Sequence, residues 1–295
     1  MPELLTVSLI WAFSFGMIGN ILKGVDPCLL ATARLLISFL VFLPLLRIKH
    51  LSIQNIAALA GIGAIQYGFM YISLFMAYQY LESHEVALFT IFTPIYVTLV
   101  NDISTKRFHR LFLATALLAV IGTGVIKSTQ LHRDGLIYGF LIMQFSNLCF
   151  AGGQIFYRST MRNIRGVKDS QVFAVLYAGA VAVAAPFALI TTSWTDVSLD
   201  ARQIAVLLYL GAVASGLAFF LWNSGARKVN AGTLAIFNNL KVPLAITVSL
   251  LIFKEQTNLP RLLVGGLLVL AALAINELYV RTVKRKTQSP NTENI

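Results

Sequence analysis

Phe89-Thr90-Ile91-Phe92-Thr93-Pro94-Ile95-Tyr96 lies inside an apolar run from Ser83 to Asn101, and Phe237-Asn238-Asn239-Leu240-Lys241-Val242-Pro243 lies inside another from Ala231 to Phe253. Each run is about as long as the ~20-residue helix that crosses a hydrocarbon core, and each carries a proline near its middle. Working outward, eight more runs fill the chain: Leu4 to Leu22, Cys28 to Leu46, Asn55 to Tyr80, Leu111 to Ile126, Leu136 to Tyr157, Ser170 to Thr192, Ile204 to Trp222 and Leu262 to Val280. The ten divide five and five, and the proline-bearing runs are the fourth of each half. An odd number of spans per half turns the second half upside down relative to the first. The chain therefore reads as an all-α membrane protein with ten transmembrane helices arranged as two inverted five-helix repeats, residues 1–128 and 129–281, followed by a disordered cytoplasmic tail at 282–295.

Composition agrees. Of the 295 residues 57% are hydrophobic and 12% charged, and the mean hydropathy is +0.77, values that exclude an ordinary soluble domain. No Lys or Arg precedes the first run and no small-residue cleavage site follows it, so it reads as a retained helix. The net charge of +11 does not point to nucleic acid, because the basic residues sit between spans and alternate sides. With the N-terminus cytoplasmic, fifteen of the 23 Lys and Arg lie inside, six outside and two, Arg34 and Lys241, within spans. That bias follows the positive-inside rule and predicts both termini cytoplasmic, in a plasma-membrane protein. Cys28 and Cys149 cannot build a disulfide framework and read as packing residues.

The repeat has modest support beyond the span count: Asp26 leads into a span containing Pro44, and Asp169 into the equivalent span containing Pro186. Leu9-Ile10-Trp11-Ala12-Phe13-Ser14-Phe15 in the first span, Ala33-Arg34-Leu35-Leu36 and Leu43-Pro44-Leu45 in the second and Thr93-Pro94-Ile95-Tyr96 in the fourth resemble the drug/metabolite transporter superfamily, EamA type. The resemblance covers nearly the whole chain. It implies ten helices with both ends cytoplasmic, a central cavity, and export of small metabolites or amino acids. The second half departs from the family pattern at Ala231-Gly232 to Pro243, where a lysine and two asparagines enter the span and the proline is displaced by one.

Lys241 is the sharpest chemical signal. It lies ten residues past Ala231, about 15 Å along a helix at 1.5 Å per residue, near the membrane midplane. A lysine there costs about 2.5–3.5 kcal/mol on insertion scales and must face protein or water. Asn238 shares its face, Asn239 is adjacent, and Glu277 on the tenth span is the partner a structural ion pair would use. Pro94 and Pro243 each remove a backbone donor, which frees the carbonyls of Thr90 and Asn239 at matched depths.

Further candidates line up at helical spacing. Gln144, Asn147 and Gln154 form a polar stripe on the sixth span, with Arg158 at its cytoplasmic end. Glu85, Phe89, Phe92 and Tyr96 share one face of the fourth span, Thr90 and Thr93 lie between them, and Tyr67 and Tyr71 offer rings from the third. Trp11 and Ser14 on the first span, and Ser215, Phe219 and Trp222 on the eighth, do likewise. His84 and Glu85, near the outer boundary, could relay protons and act with Pro94 and Pro243 in gating. Arg34, by contrast, reads as structural, snorkelling or paired with Glu85. Gly61-Ile62-Gly63 reads as a helix-packing pair.

The leading reading is a secondary transporter, in the exporting direction the family implies, for a small amphipathic metabolite such as an amino acid or organic carboxylate. It works by alternating access, with the small-molecule substrate, the lipid bilayer and protons as its partners. No Walker motif is present, and no cofactor or metal is expected, because the histidines form no metal-ligand spacing. The alternatives are an intramembrane enzyme, which lacks a nucleophile with a base partner here, and a non-transporting receptor, which has no need for Lys, Asn and Gln at midplane.

Overall fold

The computed structural model describes residues 2–49, 51–104, 135–164, 166–228 and 231–254, with isolated helical positions between 260 and 278. Eight long helices result, α1 Pro2–Ile21, α2 Pro27–Leu45, α3 Ile53–Ala77, α4 Ser83–Ser104, α5 Leu136–Asn163, α6 Asp169–Thr191, α7 Ala201–Lys228 and α8 Ala231–Leu251. They correspond to the first four runs and to the sixth through ninth. The fifth run lies outside the described residues, as does most of the tenth, Glu277 included. So do the side chains of Lys241, Asn239 and Pro243, although their backbone belongs to α8.

Most helix ends fall within three residues of the apolar runs. Two overshoot: α5 continues six residues past Tyr157 and α7 six past Trp222. Both extensions are polar turns with cations, Arg162 in one and Arg227 and Lys228 in the other. Cations favour the negative end of a helix dipole, so the helix outlasts its hydrophobic stretch.

The bundle is apolar on its outer faces, and its interior is a hydrophobic core in which a smaller set of polar side chains is buried. Leu5, Leu9 and Phe13 of α1, and Ile137, Leu141, Phe145 and Leu148 of α5, are exposed at helical spacing. Ser8, Ser14, Arg34, Ser38, Gln66, Asn147 and Gln154 are buried. Because lipid tails are as apolar as leucine, packing and hydrogen bonds between helices hold such a bundle together. The backbones of α3 and α6 approach closely. A β-carbon added at Gly63 would lie 1.8 Å from the Leu176 carbonyl oxygen, and one at Gly179 1.9 Å from that of Ala60. Of the expected pair, Gly63 makes the contact, whereas Gly61 meets nothing within 4 Å.

Each repeat carries an interruption that sequence analysis placed elsewhere. α3 is π-helical over Ala64–Phe69 and α7 over Leu210–Leu217, and these are the third helices of the two halves. A π segment leaves carbonyls without their usual amide, and in a membrane neighbouring groups must satisfy them. In α7 the donors come from three helices: Trp11 Nε1 to Ala214 at 2.9 Å, Ser38 Oγ to Gly211 at 2.8 Å, and Tyr177 Oη to Ser215 and Gly216 at 2.8 and 3.0 Å. The expected matched proline kinks are not matched. Around Pro94 the chain tightens into a 3-10 turn at Thr90–Phe92, whereas α8 runs as one α-helix through Pro243.

The loops before α2 and α6 are alike. Lys23-Gly24-Val25 precedes Asp26, Arg165-Gly166-Val167 precedes Lys168-Asp169, and Gly24 and Gly166 have φ of +87° and +75°, a left-handed conformation only glycine adopts freely. Asp26 accepts the Leu29 amide at 2.8 Å and caps α2.

Candidate functional site

Near the centre of the bundle, residues of α1, α2, α3, α4, α5 and α7 line a cavity of about 70 Å³, room for a few waters. Of the sequence-derived candidates, Trp11, Ser14, Tyr71, Thr90, Thr93, Asn147 and Phe219 line it. Met70, Met143, Ser146 and Phe150 also line it and have no place among the candidates read from the sequence. Ser146 lies beside Asn147, one position off the stripe that was read. Its Oγ donates to the Met70 carbonyl at 2.8 Å, just beyond the π segment of α3.

Asn147 organises one side. The 3-10 turn lets the Thr93 amide bond the Thr90 carbonyl, so Pro94 does not leave Thr90 bare as expected. The Phe89 carbonyl is the one that accepts a side chain instead: Asn147 Nδ2 donates to it at 2.8 Å. Asn147 also accepts from Thr93 Oγ1 at 3.3 Å and donates to Gln144 at 3.2 Å, and Tyr96 Oη donates to Gln144 at 3.3 Å. Gln144 thus stands behind the wall and orients the amide that forms it.

The opposite side is built around Arg34. Sequence analysis considered Glu85 as its partner; the structure corrects this. Glu85 accepts the Glu82 amide at 2.9 Å and helps cap the start of α4, where His84 is also buried, 3.9 Å from Glu82. Arg34 lines the cavity itself. Nε donates to Ser215 Oγ at 3.0 Å, Nη2 donates to Tyr71 Oη at 3.0 Å and reaches the Leu210 carbonyl at 3.5 Å, and the guanidinium carbon lies 4.7 Å from the Tyr71 ring centroid.

The other candidates lie to one side. Trp222 Nε1 donates to Gln154 at 3.0 Å, Asn223 bonds Gln66 and Tyr67, and Tyr67 stacks on Tyr177. These residues fill the bundle between the cavity and the face bearing the N-terminus. Phe89 is buried edge-on against Phe140, and Asn238 is buried in α8.

The two ends of the bundle differ. At the N-terminal face Arg227 Nη1 donates to both oxygens of Asp169 at 2.7 Å, Tyr157 Oη donates to the same carboxylate, and Lys228 reaches Glu3 at 2.6 Å. At the opposite face lies a vestibule of about 900 Å³, lined by the C-terminal end of α1, the Asp26 turn, Glu82, Gln203 and Lys254 among others. The vestibule and the cavity share Ile18. Cys28 and Cys149 are both free and buried.

Apolar outer helix faces around a largely apolar central cavity that carries a few polar groups, with a vestibule at one end, are the arrangement of a membrane transporter. Comparison with known proteins gives the family. The EamA-like transporter family model matches residues 4–128 and 137–277, and the chain belongs to that family, within the drug/metabolite transporter superfamily. The ten-helix, two-repeat architecture read from the sequence is the family's. The chain is 37% identical to a "Probable biotin transporter" of Pseudomonas aeruginosa, over 96% of this chain and all of that protein. It is 39% identical to a "Biotin transporter" of Escherichia coli K12, over 95% and 94%. A "Probable amino-acid metabolite efflux pump" of Salmonella typhimurium is 25% identical over 92% of each. A solved crystal structure at 16% identity shares the fold, with a TM-score of 0.67 over 95% of this chain and 97% of its own.

Proposed function

We infer that this protein carries biotin, or a ring-bearing monocarboxylate of similar size, across the cytoplasmic membrane by alternating access of residues 1–128 against 129–281. The observation that carries the reading is the whole-length similarity, at 37% and 39%, to proteins called biotin transporters. An amino acid is the weaker reading, because the corresponding relative is only 25% identical. The cavity chemistry supports biotin. Trp11, Phe150 and Phe219 offer apolar faces to a thiophane ring, while Asn147, Thr93 and Ser14 offer the mixed donors and acceptors that a cyclic urea needs. A 70 Å³ cavity is too small for the whole molecule, so the transport cycle must pass through a wider state. With both termini cytoplasmic, as the cation bias predicts, the vestibule faces outward. Purified protein in sealed liposomes is expected to exchange labelled biotin, with competition by unlabelled biotin. Exchange of amino acids with none of biotin would overturn the reading.

Lys241 belongs to the same reading as a midplane charge that draws an anionic substrate inward. Lys241→Met is expected to insert normally and lose at least about tenfold in biotin exchange, the effect of ~1.4 kcal/mol. Lys241→Arg is also expected to transport poorly, because a planar fork does not replace a compact ammonium. Full transport by Lys241→Met would sink the assignment, and rescue by the further change Glu277→Gln would make Lys241 half of a structural pair.

A further inference from the structure

We propose that Arg34 is the direct anchor for the substrate's carboxylate, held ready by Tyr71 and Ser215, at a site in the wall of the central cavity. The proposal rests on the carboxylate-carrier reading above and names the contact that reading leaves open.

Arg34 is 2% exposed. Arginine keeps its charge in proteins, and a buried charge is stable only when paired or fully hydrogen-bonded. Among the described residues no carboxylate approaches Arg34. Its partners are two hydroxyls, one carbonyl and the Tyr71 ring, all formally neutral. The guanidinium has five N–H donors. Nε and Nη2 use theirs on Ser215, Tyr71 and Leu210, and Nη1 is buried with no hydrogen-bond partner.

A purely architectural arginine has no use for that arrangement. Capping the π segment of α7 needs donors, but Trp11, Ser38 and Tyr177 supply them to its other carbonyls without any charge. What a neutral side chain cannot supply is a positive charge beside a cavity, on a side chain whose Nη1 is buried and still lacks a hydrogen-bond partner. Tyr71 and Ser215 also bond each other at 2.8 Å, so the two hydroxyls form a fixed bracket that sets the guanidinium plane. That preorganisation spares the ligand the entropy of ordering a long side chain. The complementary ligand group is a carboxylate, which accepts charge-assisted hydrogen bonds and neutralises the site. Arg34 stands across the cavity from Asn147, so in the wider state the carboxylate end of an acyl chain would meet the guanidinium while the rings meet Trp11, Phe150, Phe219 and Asn147.

The test compares biotin with biotin amide, which keeps the rings and chain and removes the charge. Both are assayed for binding to purified wild type, Arg34→Gln and Lys241→Met. Wild type should bind biotin at least about tenfold more tightly than the amide. Arg34→Gln should erase that preference by weakening biotin alone, leaving affinity for the amide within about twofold. Arg34→Lys keeps a charge for folding but cannot span Ser215, Tyr71 and the ligand together, so it should reduce the acid-over-amide ratio several-fold even if the glutamine variant does not fold. Equal loss of both ligands in Arg34→Gln would mean an architectural role and overturn the proposal. A preference that survives in Arg34→Gln and vanishes in Lys241→Met would also overturn it, giving the anchor to Lys241. Wild type that binds neither compound refutes the biotin reading instead. The Arg34 claim is then decided by pentanoate against pentanamide in thermal shift, where stabilisation by the acid that is lost in Arg34→Gln sustains it and equal responses overturn it.

Discussion

Replacing Arg227 with alanine is expected to open the face of the bundle that carries the N-terminus. Arg227 Nη1, bonded to both oxygens of Asp169, ties the end of α7 to the start of α6, and Tyr157 adds the end of α5 to the same carboxylate. Three helices thus meet at one acid, directly beneath the Trp222 to Gln154 and Asn223 to Tyr67 contacts that close the bundle below the cavity. Charge-assisted hydrogen bonds between arginine and carboxylate are stronger than neutral ones, but these side chains are 31% and 19% exposed, so solvent reduces the gain to about 1 kcal/mol. For an equilibrium between closed and open faces, that corresponds to about a fivefold change in population. The reporter is a cysteine at Met161, a buried residue of α5 close to this face, with Cys28 and Cys149 replaced. Its reaction with an impermeant thiol reagent should accelerate about fivefold in Arg227→Ala and return to the starting rate in the charge-swapped pair Asp169→Arg with Arg227→Asp. Unchanged labelling would show that the Arg227 to Asp169 contact does not hold the face closed. The neighbouring Lys228 to Glu3 pair, with its lysine 59% exposed, is expected to contribute little.

The largest effect on stability is expected from a single methyl group. Gly63→Ala places a β-carbon 1.8 Å from the backbone oxygen of Leu176, an overlap that no side-chain rotation relieves. α3 and α6 must move apart, which breaks the reciprocal contact of Gly179 on Ala60. Overpacking of this kind costs about 1–3 kcal/mol where neighbours can adjust, and backbone adjusts least. Gly61→Ala is the control: it is in the same helix, two residues away, with open space around it. There the substitution gains up to about 1 kcal/mol of helix propensity. Thermal unfolding in detergent should place Gly63→Ala well below wild type and Gly61→Ala at or slightly above it. Similar behaviour of the two variants would mean that α3 and α6 do not depend on this approach.

Class and repeat were legible because they follow from quantities written along the chain. A bilayer of fixed thickness demands runs of fixed length, and the runs predict where the described helices lie to within a few residues. Where two helices overshoot, the cations that extend them were visible at Arg162, Arg227 and Lys228. The likeness of Lys23-Gly24-Val25 to Arg165-Gly166-Val167, ahead of Asp26 and Asp169, is written in the sequence as well. Half of the cavity wall was found by helical spacing, since Trp11, Ser14, Tyr71, Thr90, Thr93, Asn147 and Phe219 are the polar and aromatic interruptions of apolar stripes.

What only the tertiary structure decided was where freed backbone groups find partners. A proline announces a lost amide in the sequence, but whether Thr90 or Phe89 loses its bond depends on a 3-10 turn and on the reach of Asn147 from another helix. The π segment of α7 has no signature in the sequence at all, because it persists through donors on α1, α2 and α6 that are distant along the chain. Arg34 shows the same limit. Its burial at mid-helix could be read from its position, and it looked structural because a charge there calls for a partner. Among the described residues no carboxylate reaches it, Tyr71 and Ser215 bracket the guanidinium, and Nη1 has no hydrogen-bond partner. Sequence sets which groups are available and how deep they lie, and packing between helices decides which of them are satisfied by the protein.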